Sequence, residues 1–343
     1  MIYLFKSNLF WRSLSMPILV TGAAGFIGYH VSKLLLQNNE TVISVDNLND
    51  YYDVNLKQAR LKDLKAHPNF TFHQLDIADK TGMERVIEAH PDIDRIVNLA
   101  AQAGVRYSLT NPRAYTESNI VGYLNILEAC RNLPIKHLVY ASSSSVYGAN
   151  TKLPFSVNDP VEQPISLYAA TKRSNELMSY TYSHLFGIPA TGLRFFTVYG
   201  PWGRPDMSAF IFTKSILEGK EITVFNHGDM KRNFTYIGDI VQGTIACLNK
   251  PPGTQNVAEK IVPHRVYNIG NNRSENLMDF IQTLERIIGQ KAKIRFEAIQ
   301  PGDVKETIAD ITDTTRDFNF IPITNIEEGL TNFVKWYRNF YNV

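Results

Sequence analysis

Cysteine is nearly missing from this chain: 343 residues hold two, Cys130 and Cys247, far apart and without metal-ligating neighbours in sequence. That excludes a disulfide framework and fits a reducing, cytoplasmic setting. The eight histidines include no His-x-x-x-His or similar pair, so no metal site is expected. Charge of one sign is missing too. The net formal charge is +2, acids and bases are interspersed, and no basic tract occurs; a nucleic-acid partner is not expected. There is no internal repeat and no low-complexity tract. Residues 1–15 are apolar with two cations, but too short to span a bilayer. They lack the long apolar stretch and small-residue cleavage site of a signal peptide. They read as a disordered extension, or as sequence upstream of a natural start at Met16, in preference to a weak membrane-surface anchor. No stable membrane insertion is expected.

What is present is a substantial core. Hydrophobic residues make up 44% of the chain, enough for one large domain or two intimate ones. Pro17-Ile-Leu-Val-Thr reads as a buried strand, running into Gly22-Ala-Ala-Gly25-Phe26-Ile27-Gly28 and then a helix from Tyr29. Strand, glycine-rich turn and helix is the context in which glycines let a pyrophosphate approach backbone N–H groups. A second strand, Thr41 to Val45, ends in Asp46, 18 residues after Gly28. A carboxylate there suits adenosine ribose hydroxyls and repels a 2′-phosphate. With no arginine following, the reading is NAD, not NADP; a glycine turn in some other α/β protein is the bland alternative.

The alternation continues. Phe70 to Leu75 reads as a strand ending at Asp76, where a carboxylate, with Ile77 beside it, could reach adenine. Arg95 to Ala100 and Lys136 to Ala141 are further strands, separated by a helical stretch from Ala114 to Arg131. Strands alternating with helices imply a doubly wound parallel sheet, a Rossmann-type α/β fold. Its ligands sit beyond the carboxyl ends of the strands. Two segments leave those ends: Ala100 to Arg106, and Ser142-Ser143-Ser144-Ser145-Val-Tyr-Gly148. The serines are a linker or, fed by a buried strand, a hydroxyl-lined site. Tyr168 precedes Lys172 by four residues, placing phenol and ammonium on one helix face. A nearby cation lowers a phenol's pKa and brings it toward general-base chemistry. On its own that spacing is also ordinary helix surface.

Together these residues resemble an extended short-chain dehydrogenase/reductase from Met16 onward. The resemblance rests on the glycine trio, Asp46, Leu99-Ala100-Ala101, the serine run, and Tyr168 with Lys172. It implies Tyr168 as general base, Lys172 as the group that lowers its pKa and holds the nicotinamide ribose, and Ser143 as the hydroxyl on the reacting oxygen. Gly22, Gly25, Phe26, Ile27, Gly28, Asp46, Asp76, Ile77 and Ala100, with Tyr168 and Lys172, become the NAD contacts. Asn119 resembles a structural asparagine. Sugar-nucleotide dehydratases of the family carry an Asp-Glu pair, and UDP-xylose-forming decarboxylases a Glu, where this chain has Ser144 and Ser145. That leaves epimerisation by redox alone.

Ala101 to Ser108, Leu193 to Met207 and Val224 to Asp239 resemble the UDP-glucuronate 4-epimerases. The resemblance implies a UDP-sugar substrate, a 4-keto intermediate and a homodimer built on the helices that start near Asn111 and Ser166. Lys231-Arg232 resembles a diphosphate contact, Gln300-Pro-Gly-Asp303 a ribose- and phosphate-contacting turn, and Gln300 in place of Arg fits a uronate. Arg106 completes that end. The intermediate would be a β-keto acid prone to losing carbon dioxide. Ser144, Ser145 and Thr197, assisted by Arg204, are placed to pin its carboxylate. Asn233 stands where Asp is usual and Ser208 where Ala is common. Prolines break the rhythm after Gly200, so residues 16–200 read as the NAD-binding domain, a segment near 234–250 as returning to it, and 201–343 mainly as a substrate-binding domain. Asn276 to Ile288 and Ile326 to Tyr341 read as amphipathic helices of core and cover. The alternatives are a 4-epimerase of UDP-glucose or UDP-N-acetylglucosamine and, from another class, a nucleotide-sensing binding protein.

Overall fold

The computed structural model describes residues 16–253, 262–300 and 303–343; the expectation for residues 1–15, and Pro301 and Gly302 of the expected turn, lie outside them. The first half alternates as the apolar runs dictate: β1 (Ile18–Thr21), α1 (Phe26–Gln37), β2 (Val42–Asp46), α2 (Val54–Lys65), β3 (Phe70–Gln74), α3 (Lys80–Ala89), β4 (Arg95–Asn98), the short α4 (Tyr107–Thr110) and α5 (Pro112–Thr116), α6 (Tyr123–Asn132), β5 (His137–Ser143), α7 (Leu167–Phe186) and β6 (Ala190–Phe195). The second half is β7 (Thr197–Tyr199), α8 (Ser208–Leu217), β8 (Glu221–Phe225), β9 (Lys231–Arg232), β10 (Phe234–Tyr236), α9 (Ile237–Leu248), β11 (His264–Ile269), β12 (Glu275–Asn276), α10 (Leu277–Ile288), β13 (Lys293–Glu297), α11 (Thr312–Phe318) and α12 (Ile326–Tyr341).

Seven strands form one parallel sheet in the order β11-β6-β5-β4-β1-β2-β3. β1, β2 and β6 are buried throughout, the pattern of strands covered on both faces. Phe26, Tyr29, Val31 and Leu35 of α1 pack with Ile240, Val241 and Ile245 of α9 on one face. Met83 and Val86 of α3, with Tyr123, Ile126 and Leu127 of α6, cover the other. Strand order reverses between β1 and β4, so the connections leaving their carboxyl ends run in opposite directions and leave a crevice.

A second core closes over that crevice. Phe210 of α8, Ile222 and Val224 of β8, Phe280 and Leu284 of α10, and Phe333 and Tyr337 of α12 bury against one another. The Phe234 and Phe280 rings stack at 4.3 Å. Between β10 and β12 the chain crosses back to the sheet through α9 and β11, and β11 pairs with β6 along its whole length. Among the described residues no helix is long and apolar enough to cross a membrane, and no group of three or more His, Cys, Asp or Glu could hold a metal ion.

Candidate active site

The crevice at the switch point is a cleft of about 910 Å³, near the upper end of the ~300–1,000 Å³ usual for small-molecule sites. Of the residues singled out above, Gly22, Gly25, Phe26, Ile27, Gly28, Asp46, Asp76, Ile77, Ala100, Arg106, Ser143 to Ser145, Tyr168, Lys172, Thr197, Arg204, Arg232 and Asp303 line it, whereas Lys231 and Gln300, expected at the substrate end, do not.

At the dinucleotide end the turn has no room for side chains. Gly22 has φ +73°, and a Cβ there would lie 2.7 Å from the Ala100 nitrogen. A Cβ on Gly28 would lie 2.0 Å from the Gly22 carbonyl oxygen. Gly25 caps α1 without a side-chain hydrogen bond, so the first-turn N–H groups keep their capacity for an anion. Asp46 accepts from the Ala24 and Leu48 amides at 3.0 and 2.9 Å, which sets the carboxylate at the strand end with lone pairs to spare. Burial pushes its pKa up, against those amides and the nearby Lys57 and Arg60 charges. Asp76 accepts from the Ala78 amide at 2.9 Å and from Asn47 Nδ2 at 2.7 Å. These features fit an NAD adenosine and pyrophosphate.

Ser166 caps α7, accepting from the Ala169 amide at 3.1 Å, which places Tyr168 in the first turn where the helix dipole favours an anion. Lys172 is one turn on, and its ammonium donates to the Ala141 carbonyl at 2.9 Å. Burial lowers its pKa to about 8. Burial raises the Tyr168 phenol above its ordinary value, while the Ser143 hydroxyl and the Arg204 charge pull it back. The expected lowering by Lys172 does not arise within the protein alone: the ammonium is tethered to the Ala141 carbonyl, and desolvation outweighs the two groups that do pull the phenol down, Ser143 and Arg204. Ser143 ends β5, its oxygen accepting from the Ser145 amide at 3.1 Å.

Asn119 lies behind the cleft. Its side chain donates to the Gln102 carbonyl and to Thr171 Oγ1, both at 3.0 Å, and accepts from the Gln102 amide at 2.8 Å. It sits in a π-helical turn, Glu117–Gly122, between α5 and α6; such turns gather at functional sites. The asparagine thus ties the loop after β4 to α7.

At the substrate end two expected contacts meet each other. Arg106 pairs with Asp303 at 2.9 Å across the mouth and stacks over Phe225 at 4.4 Å. Arg232 donates to the Lys231 and Lys305 carbonyls at 3.0 and 3.1 Å, and burial lowers its pKa. Arg204 is held by Asp206, Nε to Oδ1 at 3.0 Å, and Tyr51 donates to the same carboxylate at 3.0 Å. Asn233 is fully buried outside the lining, donating to the Arg273 carbonyl at 2.8 Å and accepting from the Asn271 amide at 2.8 Å. That departure shapes a turn behind the cleft and does not face it; Ser208 does line it.

The sequence reading missed the loop after β2. Asn47, Asn49, Tyr51, Tyr52 and Lys57 all line the cleft. Lys57 donates to the Asn49 carbonyl at 2.6 Å, and burial lowers its pKa to about 8. The one signal was position: these residues follow directly on Asp46. Arg60, wholly buried, donates to the Ala24 carbonyl at 2.7 Å and to the Trp202 carbonyl at 2.6 Å, joining the glycine turn to the loop that carries Arg204.

Comparison with known proteins agrees with this geometry. Residues 18–270 match the model of the NAD dependent epimerase/dehydratase family. The chain is 51% identical to Protein CapI of Staphylococcus aureus, over 95% of this chain and 99% of that protein. It is 46% identical to UDP-glucuronate 4-epimerase 3 of Arabidopsis thaliana, over 95% of this chain and 77% of that protein. Its structure is similar to that of UDP-glucuronic acid 4-epimerase from Bacillus cereus in complex with UDP-glucuronic acid and NAD. There the TM-score is 0.87 at 35% identity, covering 95% of this chain and 100% of that one. The chain belongs to the NAD dependent epimerase/dehydratase family.

Proposed function

We propose that the protein interconverts UDP-glucuronate and UDP-galacturonate at carbon 4. The observation that carries this reading is the set of hydroxyls lining the cleft. Ser143, Ser144, Ser145 and Thr197 line the same cleft as Tyr168 and Lys172, and positions 144 and 145 are serine where elimination or decarboxylation would want a carboxylate. The relatives named as UDP-glucuronate 4-epimerases support the same substrate.

Tyr168, as phenolate, accepts the proton of the carbon-4 hydroxyl, and Ser143 donates to the same oxygen. Bound NAD⁺ supplies the hydride acceptor and donor, and its positive ring favours the phenolate. Lys172 holds the ribose beside that ring. Arg106 and Arg232 grip the diphosphate, so the sugar turns about that anchor and presents its other face. Ser144, Ser145 and Thr197 hold the carboxylate away from the perpendicular geometry in which a β-keto acid loses carbon dioxide; Arg204 assists as the sugar turns.

Residues 16–200, with the later return to the sheet, act as the cofactor-binding part and the second core as the substrate lid. Val121 and Leu124, with Leu177 and Tyr180 of α7, are exposed, which supports a homodimer through these helices. Two free buried cysteines fit a cytoplasmic enzyme. Purified protein with UDP-glucuronate and no added cofactor should yield UDP-galacturonate. Conversion of UDP-glucose or UDP-N-acetylglucosamine in preference would replace the substrate assignment, and binding without conversion of any of the three would leave a nucleotide sensor.

A further inference from the structure

Three separate elements carry the reacting groups: β5 ends in Ser143, α7 begins with Tyr168 and Lys172, and β6 runs on toward Thr197. One carboxylate outside the cleft touches all three. Glu176 lies one turn beyond Lys172 and is 1% exposed. Its Oε1 accepts from Ser142 Oγ on β5 at 2.7 Å and from Arg194 Nε on β6 at 2.8 Å. Its Oε2 accepts from Arg194 Nη2 and from Arg173 Nη1, both at 2.9 Å. Ser142 adjoins Ser143, and Arg194 stands three residues before Thr197. Arg194 is itself buried, with its guanidinium 4.9 Å from the centre of the Tyr147 ring.

The contacts along β5 form a series. Ala141 receives Lys172, Ser142 grips Glu176, and Ser143 faces the cleft. A buried ion pair is a poor source of stability, since apolar residues of similar volume often do as well. It does impose direction: a bidentate guanidinium–carboxylate fork holds one geometry and few others.

We propose that Glu176 is a positioning residue that sets the gap between the Tyr168–Lys172 helix and the serine–threonine lining of the cleft, so that its loss misplaces the sugar without weakening its binding. This rests on the uronate reading above. Under that reading a misplaced carboxylate has its own signature: the 4-keto sugar breaks its bond to the carboxylate carbon, carbon dioxide leaves, the electron pair enters the enolate, and a proton from water gives the UDP-4-keto-pentose. Return of the hydride held by the cofactor to carbon 4 then yields UDP-pentose and regenerates NAD⁺.

The test uses the NAD-loaded enzyme and UDP-glucuronate. In Glu176→Gln, kcat should fall about 100-fold, the loss expected of a misplacement near 1 Å, with KM and bound NAD close to wild type and pentose released. Ser142→Ala, which leaves the ion pair whole, should lose about tenfold, the worth of one hydrogen bond, and also release pentose. The double variant Glu176→Leu with Arg194→Met should keep its Tm and stay slow. Wild-type kcat and clean epimerisation in Ser142→Ala and Glu176→Gln overturn the proposal, as does a fast double variant. Should Glu176→Gln not fold, wild-type behaviour of Ser142→Ala alone overturns it. Wild-type enzyme that leaves UDP-glucuronate unchanged sinks the substrate reading, and this inference with it.

Discussion

Replacing Tyr168 by Phe removes one oxygen and little else. The ring keeps its edge-to-face contact with Tyr115, centroids 6.0 Å apart, so the helix start and the neighbouring cofactor wall should stay in place. What is lost is the proton acceptor, a role worth roughly 10²–10⁴ in rate, or about 2.7–5.4 kcal/mol of barrier at 1.36 kcal/mol per decade. Stability should move by no more than about 1 kcal/mol, the worth of one hydroxyl's hydrogen bond. Epimer formation followed by product separation gives kcat, and absorbance of the denatured protein gives bound NAD. The pH profile is a second check. Burial holds the phenol above its ordinary value, with Ser143 and Arg204 pulling it back, and only the ionised form accepts a proton. The wild-type rate should therefore fall as pH falls, and the Tyr168→Phe variant should lack that limb. A variant within threefold of wild type, with the limb intact, would refute the assignment; loss of NAD would refute the claim that the change is local.

Gly28→Ala puts a Cβ 2.0 Å from the Gly22 carbonyl, and the backbone must give way. The purified variant should carry no NAD; wild-type NAD content would show the turn to be tolerant. Lys172 has a carbonyl for a partner and, among the described residues, no counter-ion, so its amine in ligand-free protein should titrate near 8 by ¹⁵N NMR, charged below that pH and neutral above; a midpoint at the usual lysine value would show that water reaches it. Ser144→Ala, Ser145→Ala and Thr197→Ala should each release UDP-pentose from UDP-glucuronate. No pentose and wild-type epimerisation in all three would remove the carboxylate clamp.

The amino-acid sequence by itself determined the doubly wound sheet, because β1, β2, β4 and β5 are built on short apolar runs, β3 alternates aromatic with polar residues, and the punctuation between them is local. It also pointed to the glycine turn, Asp46 and the serine run, because glycine conformation, carboxylate placement and hydroxyl clustering are legible residue by residue; the contacts at the substrate end were legible only through the family resemblance. The tertiary structure decided what depends on distant partners. β11 joins the sheet after an excursion through the second core, since its partner, β6, lies some 70 residues earlier. Lys57 reaches the cleft, and Arg60 braces the glycine turn behind it, only when α2 folds against that turn. The balance of charges is decided there too. Arg106 pairs with Asp303 across almost 200 positions of sequence, Lys172 is tethered to Ala141, and Tyr168 is buried deeply enough for desolvation to outweigh a neighbouring cation. Spacing along a chain brings groups to one helix face, but the dielectric around them and the donors they meet are properties of the packed interior.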